Sequence, residues 1–301
     1  MLRYHHGVSF NMHLLYLTFG ENLQNHIQAQ FSILSFLAKN DSIKSINVIT
    51  DEPGFYANIK DRVNLIEVTS YRLKEWKGPF DFFWRIKIKA IEMLCNLYPG
   101  QAILYLDSDT FLFGNPDLLT TAGNKAYMHE DEGSLANKTS KTARKMWLQL
   151  KNKRFGGIII LATHNMWNAG VVYTPNTSKN KENLLALTIC DAMCEQGVTR
   201  RLIEQFSISV ALQETYGLQP AAASIAHYWS NKETWNKIIS DFFITMHFQN
   251  TTPSQVIAAL ETFDYSQAAV KQKIRSTNSR LKNFADKMYP PQQVAFVNTK
   301  P

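Results

Sequence analysis

The stretch Ala102-Ile-Leu-Tyr-Leu-Asp-Ser-Asp109 decides the fold of this sequence. It opens with a run of apolar and aromatic residues that is too short for a helix and is typical of a strand buried on both faces. Such strands occur in parallel sheets that are covered by helices on either side. Asp107 and Asp109 follow the strand directly, and residues two apart in extended backbone point to the same side. The segment therefore predicts a central strand whose end presents two carboxylates to one ligand.

Two carboxylates this close repel each other unless a cation neutralises them. Mg²⁺ and Mn²⁺ prefer oxygen ligands, and Mg²⁺ commonly binds through one or two carboxylates together with substrate phosphates. A helix or turn cap would need only one of the two acids. We therefore predict that Asp107 and Asp109 bind Mn²⁺ or Mg²⁺.

The sequence before this strand alternates between strand and helix patterns. Residues 13–18, 43–50 and 63–68 are runs of strand length, and residues 22–39 and 82–97 repeat apolar side chains at helical spacing. The order β-α-β-β-α-β predicts an α/β domain with a mostly parallel central sheet that is flanked by helices. In such domains ligands bind at the carboxyl ends of the strands.

The sequence after Asp109 is less regular. Residues 158–161 and 170–173 predict strands, and residues 184–194, 201–213 and 234–246 predict helices. We expect residues 12–260 to form one enzymatic domain. Residues 261–301 are expected to form a basic, helical C-terminal tail.

Charge is distributed unevenly along the chain. Of the 301 residues, 45% are hydrophobic, which is ample for a packed core. The 32 basic and 25 acidic residues give a net charge of +7. The tail predicts either an anionic partner (a membrane surface, nucleic acid or an acidic acceptor) or a solvated helix face. We expect no nucleic acid, because no recognised nucleic-acid-binding module is present. Between residues 271 and 287, the basic residues of the tail are Lys271, Lys273, Arg275, Arg280, Lys282 and Lys287.

A second basic stretch, residues 138–154, surrounds Trp147 with lysines and arginines. It predicts either a helix at a membrane interface or a lid on the acceptor side of the site. The three cysteines, Cys95, Cys190 and Cys194, cannot all pair and favour a reduced, cytoplasmic protein. No segment approaches the ~20 apolar residues of a membrane span. We therefore expect a cytoplasmic protein, attached through its basic tail to the inner face of the membrane.

Four motifs resemble the donor site of GT-A-fold glycosyltransferases, and their wording is closest to the family 8 type and related bacterial enzymes. The resemblance covers about residues 13–235. The last motif departs from the family pattern, because Lys232 comes one residue early and the intervening glycine is absent. In chain order, the motifs are residues 102–110 with Asn115-Pro-Asp-Leu-Leu119, Trp167-Asn-Ala-Gly-Val-Val-Tyr173, Glu204-Gln205, and His227-Tyr-Trp-Ser-Asn-Lys-Glu-Thr-Trp235.

The resemblance implies a role for each of these motifs. His227 would be the third metal ligand beside Asp107 and Asp109, with His247 as the alternative. Asn168 and Gln205 would orient the donor sugar, and Glu204 would lie near its anomeric carbon. Asp51 would contact the nucleotide base, and Arg85 and Lys89 share a helix face that would reach the donor. The complete set of expected donor contacts is Thr18, Gly20, Asp51, Arg85, Lys89, Ser108, Ala169, Gly170 and Lys232.

The resulting hypothesis is a metal-dependent glycosyltransferase. It would move a sugar from a nucleoside diphosphate, most commonly UDP for this resemblance, to a hydroxyl of a glycan or lipid-linked acceptor. Family 8 enzymes retain the anomeric configuration, so the resemblance favours retention. The basic tail suggests an enzyme at the inner membrane face with a role in surface polysaccharide or glycolipid synthesis. One alternative is a nucleotidyltransferase of related fold, although residues 18–22 lack its glycine-rich basic loop. The other is a non-enzymatic basic protein that binds nucleic acid.

Overall fold

A seven-stranded sheet forms the centre of the protein. The computed structural model describes residues 12–39, 43–115, 124–272, 281, 284–285 and 287–290. The strands are β1 (Met12–Thr18), β2 (Ile43–Thr50), β3 (Asn64–Glu67), β4 (Ala102–Leu106), β5 (Thr110–Leu112), β6 (Ala126–Met128), β7 (Asp131–Ser134), β8 (Arg154–Phe155), β9 (Ile158–Ile159), β10 (Asn165–Trp167), β11 (Val171–Thr174), β12 (Leu218–Pro220) and β13 (Ile225–His227). The large sheet has the order β12-β6-β11-β4-β1-β2-β3.

Helices cover both faces of this sheet. They are α1 (Leu23–Lys39), α2 (Ser70–Trp76), α3 (Arg85–Leu97), α4 (Lys141–Leu150), α5 (Lys181–Glu195), α6 (Ile203–Thr215), α7 (Lys232–Phe248) and α8 (Pro253–Glu261). Ile103 and Tyr105 of β4 pack into the core formed with α3, α5 and α6. Leu104 and Leu106 point the other way, into the core formed with α1, α7 and α8. β4 is therefore buried on both faces, as its sequence predicts.

Four neighbouring strands of the sheet, β3, β2, β1 and β4, run parallel to one another, and β11 runs in the opposite direction. β11 lies antiparallel to both β4 and β6, while β12 pairs parallel with β6. Because β11 runs opposite to β4, its first residues meet the last residues of β4. The Asp107 backbone N–H donates to the Gly170 carbonyl at 2.8 Å. The sheet is mostly parallel, as predicted, and its one reversal brings two distant motifs together.

The small sheet of β5 and β13 brings in a third motif. The two strands pair antiparallel, with His227 opposite Thr110. The Tyr228 backbone N–H also donates to the Asp109 carbonyl at 3.1 Å. His227 is thereby fixed beside the end of β4, although it lies far along the chain.

The C-terminal part of the described chain continues past the predicted boundary at residue 260. α8 starts at a capping box, in which Thr252 and Gln255 satisfy each other's backbone N–H groups. After α8, the carbonyl of Ala269 accepts hydrogen bonds from Asn231 and Trp235, so residues 262–272 lie against the domain without forming a helix. Most of the predicted tail, including Lys273, Arg275, Arg280 and Lys282, lies outside the described residues. Among the described helices, none has the length and apolar character that crossing a membrane requires.

Candidate active site

A cleft of about 830 Å³ lies at the carboxyl ends of β1 and β4. Thr18, Asp107 and Asp109 line it from the ends of these two strands. Asn168, just before β11, and His227, at the end of β13, line it as well. This is the edge of a parallel sheet at which ligands bind in α/β domains. The fold therefore gathers the predicted motifs at one opening.

Asp107, Asp109 and His227 form a candidate metal centre. One potential ligand atom from each residue lies within 4.8 Å of those of the other two. His227 Nε2 is 3.4 Å from Asp109 Oδ2 and 3.9 Å from Asp107 Oδ2. His247, the alternative ligand, is exposed in the last turn of α7 and is not part of this group. The structure thus places His227, and not His247, with the two carboxylates.

The chemistry of these residues fits a divalent cation. Two carboxylates and one imidazole offer the oxygen and nitrogen donors that Mn²⁺ accepts. Asp109 is only 4% exposed, and its Oδ2 faces the His227 ring nitrogen Nε2 and the Lys232 ammonium group. Burial alone would raise the pKa of Asp109, but His227 and Lys232 hold this pKa well below its ordinary value. A buried, ionised carboxylate beside a second acid and a histidine nitrogen is an arrangement that suits a divalent cation.

Two lysines flank this candidate metal centre. Lys232, the first residue of α7, places its Nζ 3.0 Å from Asp109 Oδ2 and remains half-exposed to the cleft. Lys87 is buried on α3, with its Nζ 3.1 Å from Asp107 Oδ1 and 3.2 Å from Glu204 Oε1. Burial would lower the pKa of Lys87, yet the charges of Asp107 and Glu204 hold this pKa above its ordinary value. Lys87 therefore stays charged between two acids.

Glu204 and Gln205 begin α6 and have different environments. Gln205 lines the cleft, whereas Glu204 is 8% exposed and lies behind Lys87. Burial raises the pKa of the Glu204 carboxyl, although the charge of Lys87 opposes this effect. Of this motif, the structure presents the Gln205 side chain to a ligand, and it gives Glu204 an ion pair with Lys87.

The segment from Asn168 to Gly170 turns the chain into β11. Asn168 lines the cleft, and the Ala169 carbonyl accepts a hydrogen bond from Lys87 Nζ at 3.2 Å. A Cβ atom at Gly170 would lie 2.2 Å from the His227 ring. Only glycine therefore leaves room for the imidazole where it lies.

The remaining predicted donor residues divide into two groups. Thr18 and Ser108 line the cleft, and Thr18 Oγ1 is hydrogen-bonded to Tyr56 Oη at 2.7 Å. Gly20 and Asp51 sit beside this end of the sheet and bond to each other, with the Gly20 N–H donating to Asp51 Oδ1 at 2.9 Å. Neither of them is among the residues that line the cleft.

Arg85 and Lys89 are placed away from the cleft. Arg85 forms a two-pronged ion pair with Asp191 on α5, and Lys89 pairs with Glu92 on its own helix. Lys87, which lies between them in sequence, is the basic residue of α3 that reaches Asp107. The helical spacing does not single out Lys87, because residues 85 and 89 share one helix face and residue 87 lies on the opposite one.

Further residues of the cleft could not be assigned from sequence. Glu130 and Glu132, from an acidic cluster without a predicted role, line it and pair with Lys271 and Lys138. Burial and the neighbouring His227 lower the pKa of His129 to about 4, so this residue is neutral near pH 7. The cleft also presents half-exposed aromatic side chains, namely those of Phe83, Trp84 and Trp229. Of the motif at residues 115–119, only Asn115 belongs to the described residues.

The fold has a counterpart among solved structures. No protein-family model matches the sequence, and no curated protein is similar to it by sequence. The chain is similar in structure to the galactosyltransferase LgtC, whose crystal structure is in complex with donor and acceptor sugar analogues. The match has a TM-score of 0.50 and 11% sequence identity, and it covers 85% of this chain and 98% of the other. At this identity the likeness concerns architecture: the chain is an α/β protein with the GT-A fold, a mostly parallel central sheet flanked by helices.

Proposed function

We propose that the protein is a metal-dependent glycosyltransferase that takes a sugar from a nucleoside diphosphate and transfers it to an acceptor hydroxyl. One observation carries the proposal. Asp107, Asp109 and His227, from two distant parts of the chain, converge at the end of the central strand inside a large cleft. The similarity to LgtC, whose crystal structure contains donor and acceptor sugar analogues, supports the same class of reaction.

The residues of the cleft suit this reaction. Asp107, Asp109 and His227 would hold Mn²⁺ or Mg²⁺, which when bound offsets the charge that develops on the leaving diphosphate. Lys232 lies beside them, where its half-exposed ammonium group can contact a phosphate oxygen. Asn168 and Gln205 line the same cleft. The Gln205 amide can hydrogen-bond sugar hydroxyls, and Asn168 has one amide N–H for this purpose besides the one directed at Glu132.

Lys87 and Glu204 would act from behind this surface. The Lys87 ammonium group bridges Asp107 and Glu204 and also donates to the Ala169 carbonyl. It thereby fixes the carboxylate of Asp107 and the turn before β11 relative to each other. Glu204 contributes through Lys87, which differs from the direct role near the anomeric carbon that the sequence resemblance implies.

The finer features of the reaction belong to the same proposal. UDP as the nucleotide and retention of anomeric configuration follow from the resemblance to family 8 enzymes. A role in surface glycan or glycolipid synthesis follows from the basic tail. We also propose a cytoplasmic location on the inner membrane face. In the tail, the described residues Leu281, Phe284, Met288 and Tyr289 expose large apolar side chains beside Lys287. Such a combination of apolar and basic groups favours a membrane surface.

A thermal-shift screen tests the proposed reaction class. The protein is heated with UDP-, GDP- and CMP-sugars, each with Mn²⁺ or with a chelator. A ligand that binds only the native state raises the melting temperature by mass action, so at least one sugar nucleotide should do so only with Mn²⁺. The Asp109→Ala variant should fold and lose this shift, because its metal site lacks a ligand.

Two results would count against the proposal. If a sugar nucleotide raised the melting temperature of Asp109→Ala as much as that of the wild type, with and without chelator, donor binding would not depend on the metal. Release of pyrophosphate from a nucleoside triphosphate, with no response to sugar nucleotides, would favour the nucleotidyltransferase alternative.

A further inference from the structure

His227 is held by a neighbour that has a second contact of its own. His227 Nδ1 lies 2.8 Å from Asn168 Oδ1, and both residues are buried. The same Asn168 Oδ1 accepts the backbone N–H of Gly170 at 3.0 Å. The amide nitrogen of Asn168 points to Glu132 Oε1, at 3.3 Å.

These contacts determine which way the Asn168 amide faces. A backbone N–H can only donate, so the atom of Asn168 that faces Gly170 must be the oxygen. The carboxylate of Glu132 can only accept, which places the NH₂ group on the other side. Two independent partners therefore agree on the orientation of the amide.

The orientation of the amide in turn determines which ring nitrogen of His227 must carry a proton. Because Asn168 Oδ1 can only accept, His227 Nδ1 must carry the proton that joins them. Only the neutral imidazole can bind a cation, and with its single N–H at Nδ1 its lone pair is on Nε2. Nε2 is the atom that lies 3.4 Å from Asp109 Oδ2 and 3.9 Å from Asp107 Oδ2.

We infer that Asn168 is a positioning residue that prepares His227 to bind a divalent cation through Nε2. In metal sites, the second ring nitrogen of a histidine ligand usually donates to such a partner, which fixes the ring orientation and the tautomer. Gly170 completes the arrangement, because its backbone N–H holds the amide oxygen and its missing Cβ leaves room for the ring. This inference rests on the proposed function only for the presence of the metal.

The test measures binding of Mn²⁺ alone, by isothermal titration calorimetry, without a nucleotide or an acceptor. Asn168→Ala removes the accepting oxygen and should weaken Mn²⁺ binding about 10- to 100-fold, the usual effect of losing such a partner. Asn168→Asp keeps an oxygen that accepts from both N–H groups. It should therefore bind Mn²⁺ more tightly than Asn168→Ala, by about the same 10- to 100-fold factor. Asn47→Ala is the matched control, since it removes a buried amide that bonds to Leu14 and Ser45 outside the cleft, and it should leave the affinity unchanged.

A second measurement reads the proton directly. In protein labelled with ¹⁵N-histidine, the Nδ1–H of His227 should be visible and protected from exchange in the wild type. It should disappear in Asn168→Ala, and the His227→Gln variant identifies the signal. Equal Mn²⁺ affinity of folded Asn168→Ala and the wild type would overturn the inference, as would a wild-type proton on Nε2 alone. If the wild type binds Mn²⁺ and Asn168→Ala binds it equally well, the inference alone fails. If the wild type binds no Mn²⁺, the proposed metal-dependent function fails as well.

Discussion

Individual residues decide whether the candidate metal centre can form, and Gly170 is the sharpest case. A Cβ atom at this position would overlap the His227 ring. Gly170→Ala should therefore displace the imidazole, destabilise the protein by about 1–3 kcal/mol as overpacked cores do, and weaken Mn²⁺ binding. Urea unfolding and calorimetric titration with Mn²⁺ measure the two effects.

The control for this substitution is Gly54→Ala, because a Cβ atom at Gly54 would meet nothing within 4 Å. Removing the ring should also remove the clash, so Gly170→Ala should cost much less stability in a His227→Ala background. A double-mutant cycle measures this coupling. Additive losses in the cycle would mean that the ring is not what Gly170 accommodates.

Residue-scale prediction from sequence works best where the residues are close along the chain. Strand alternation predicts that Asp107 and Asp109 face one ligand; in the structure β4 ends at Leu106, and a turn at residues 108 and 109 brings the two carboxylates together. His227 was chosen over His247 through a motif, and the structure places it beside them. The contacts of Asn168 with His227 and Gly170 could not be foreseen in the same way. They depend on side-chain orientations across two strands, which spacing along one chain does not encode.

At the scale of secondary structure, helix α3 shows how one choice of face changes the interpretation. Its inner face carries Lys87, which is buried between Asp107 and Glu204, and its outer face carries Lys89. Lys87→Met should leave the buried Glu204 and the partly buried Asp107 without their shared partner and destabilise the protein by about 3–5 kcal/mol. Lys89→Met, two residues further along the same helix, should cost about 1 kcal/mol or less. Urea unfolding of both variants gives the comparison.

Adding Glu204→Gln to Lys87→Met should recover part of the lost stability, because it removes one of the two unpaired charges. Similar unfolding free energies for Lys87→Met and Lys89→Met would contradict the buried network. The helix itself was predictable from its apolar spacing, and so were β1, β2 and β4. The face that carries the functional lysine was not, because it depends on how the helix packs against β4 and α6.

Short elements were the least predictable part of the fold. Residues 53–62 form 3₁₀ turns and residues 70–76 form α2, although neither segment was assigned from the sequence. The Thr69 side chain accepts from the Arg72 N–H and thereby caps α2, a local signal that a search for caps could have found. The antiparallel direction of β11 has no such signal, since it is set by pairing between distant strands.

At the scale of the whole molecule, the proposed membrane attachment makes a testable prediction. The protein should co-sediment with anionic vesicles at low salt and should be released as ionic strength rises, because charge attraction is screened beyond about 8 Å at 0.15 M. Replacing the basic residues between positions 273 and 287 with glutamine should abolish binding; Lys271 is kept because it pairs with Glu130. The residues to replace are Lys273, Arg275, Arg280, Lys282 and Lys287.

A matched variant changes the second basic stretch on α4, with Lys141, Arg144 and Lys145 replaced by glutamine. It should bind vesicles like the wild type if the tail carries the attachment. Equal binding to vesicles of neutral lipid, or binding that salt leaves unaffected, would contradict a charge-driven mechanism. Loss of binding in the α4 variant alone would show that α4, and not the tail, binds the membrane.

The pairing of β13 with β5 has a consequence for how the protein folds. A chain that has formed β4 but has not yet docked β13 possesses both carboxylates and lacks the imidazole. Such a partly folded chain would bind the ion weakly, and the folded protein would bind it tightly. The bound ion would therefore hold β13 against the end of β4. Binding would then favour the last docking step over its reversal, and a supply of the ion would protect newly made protein from partial opening.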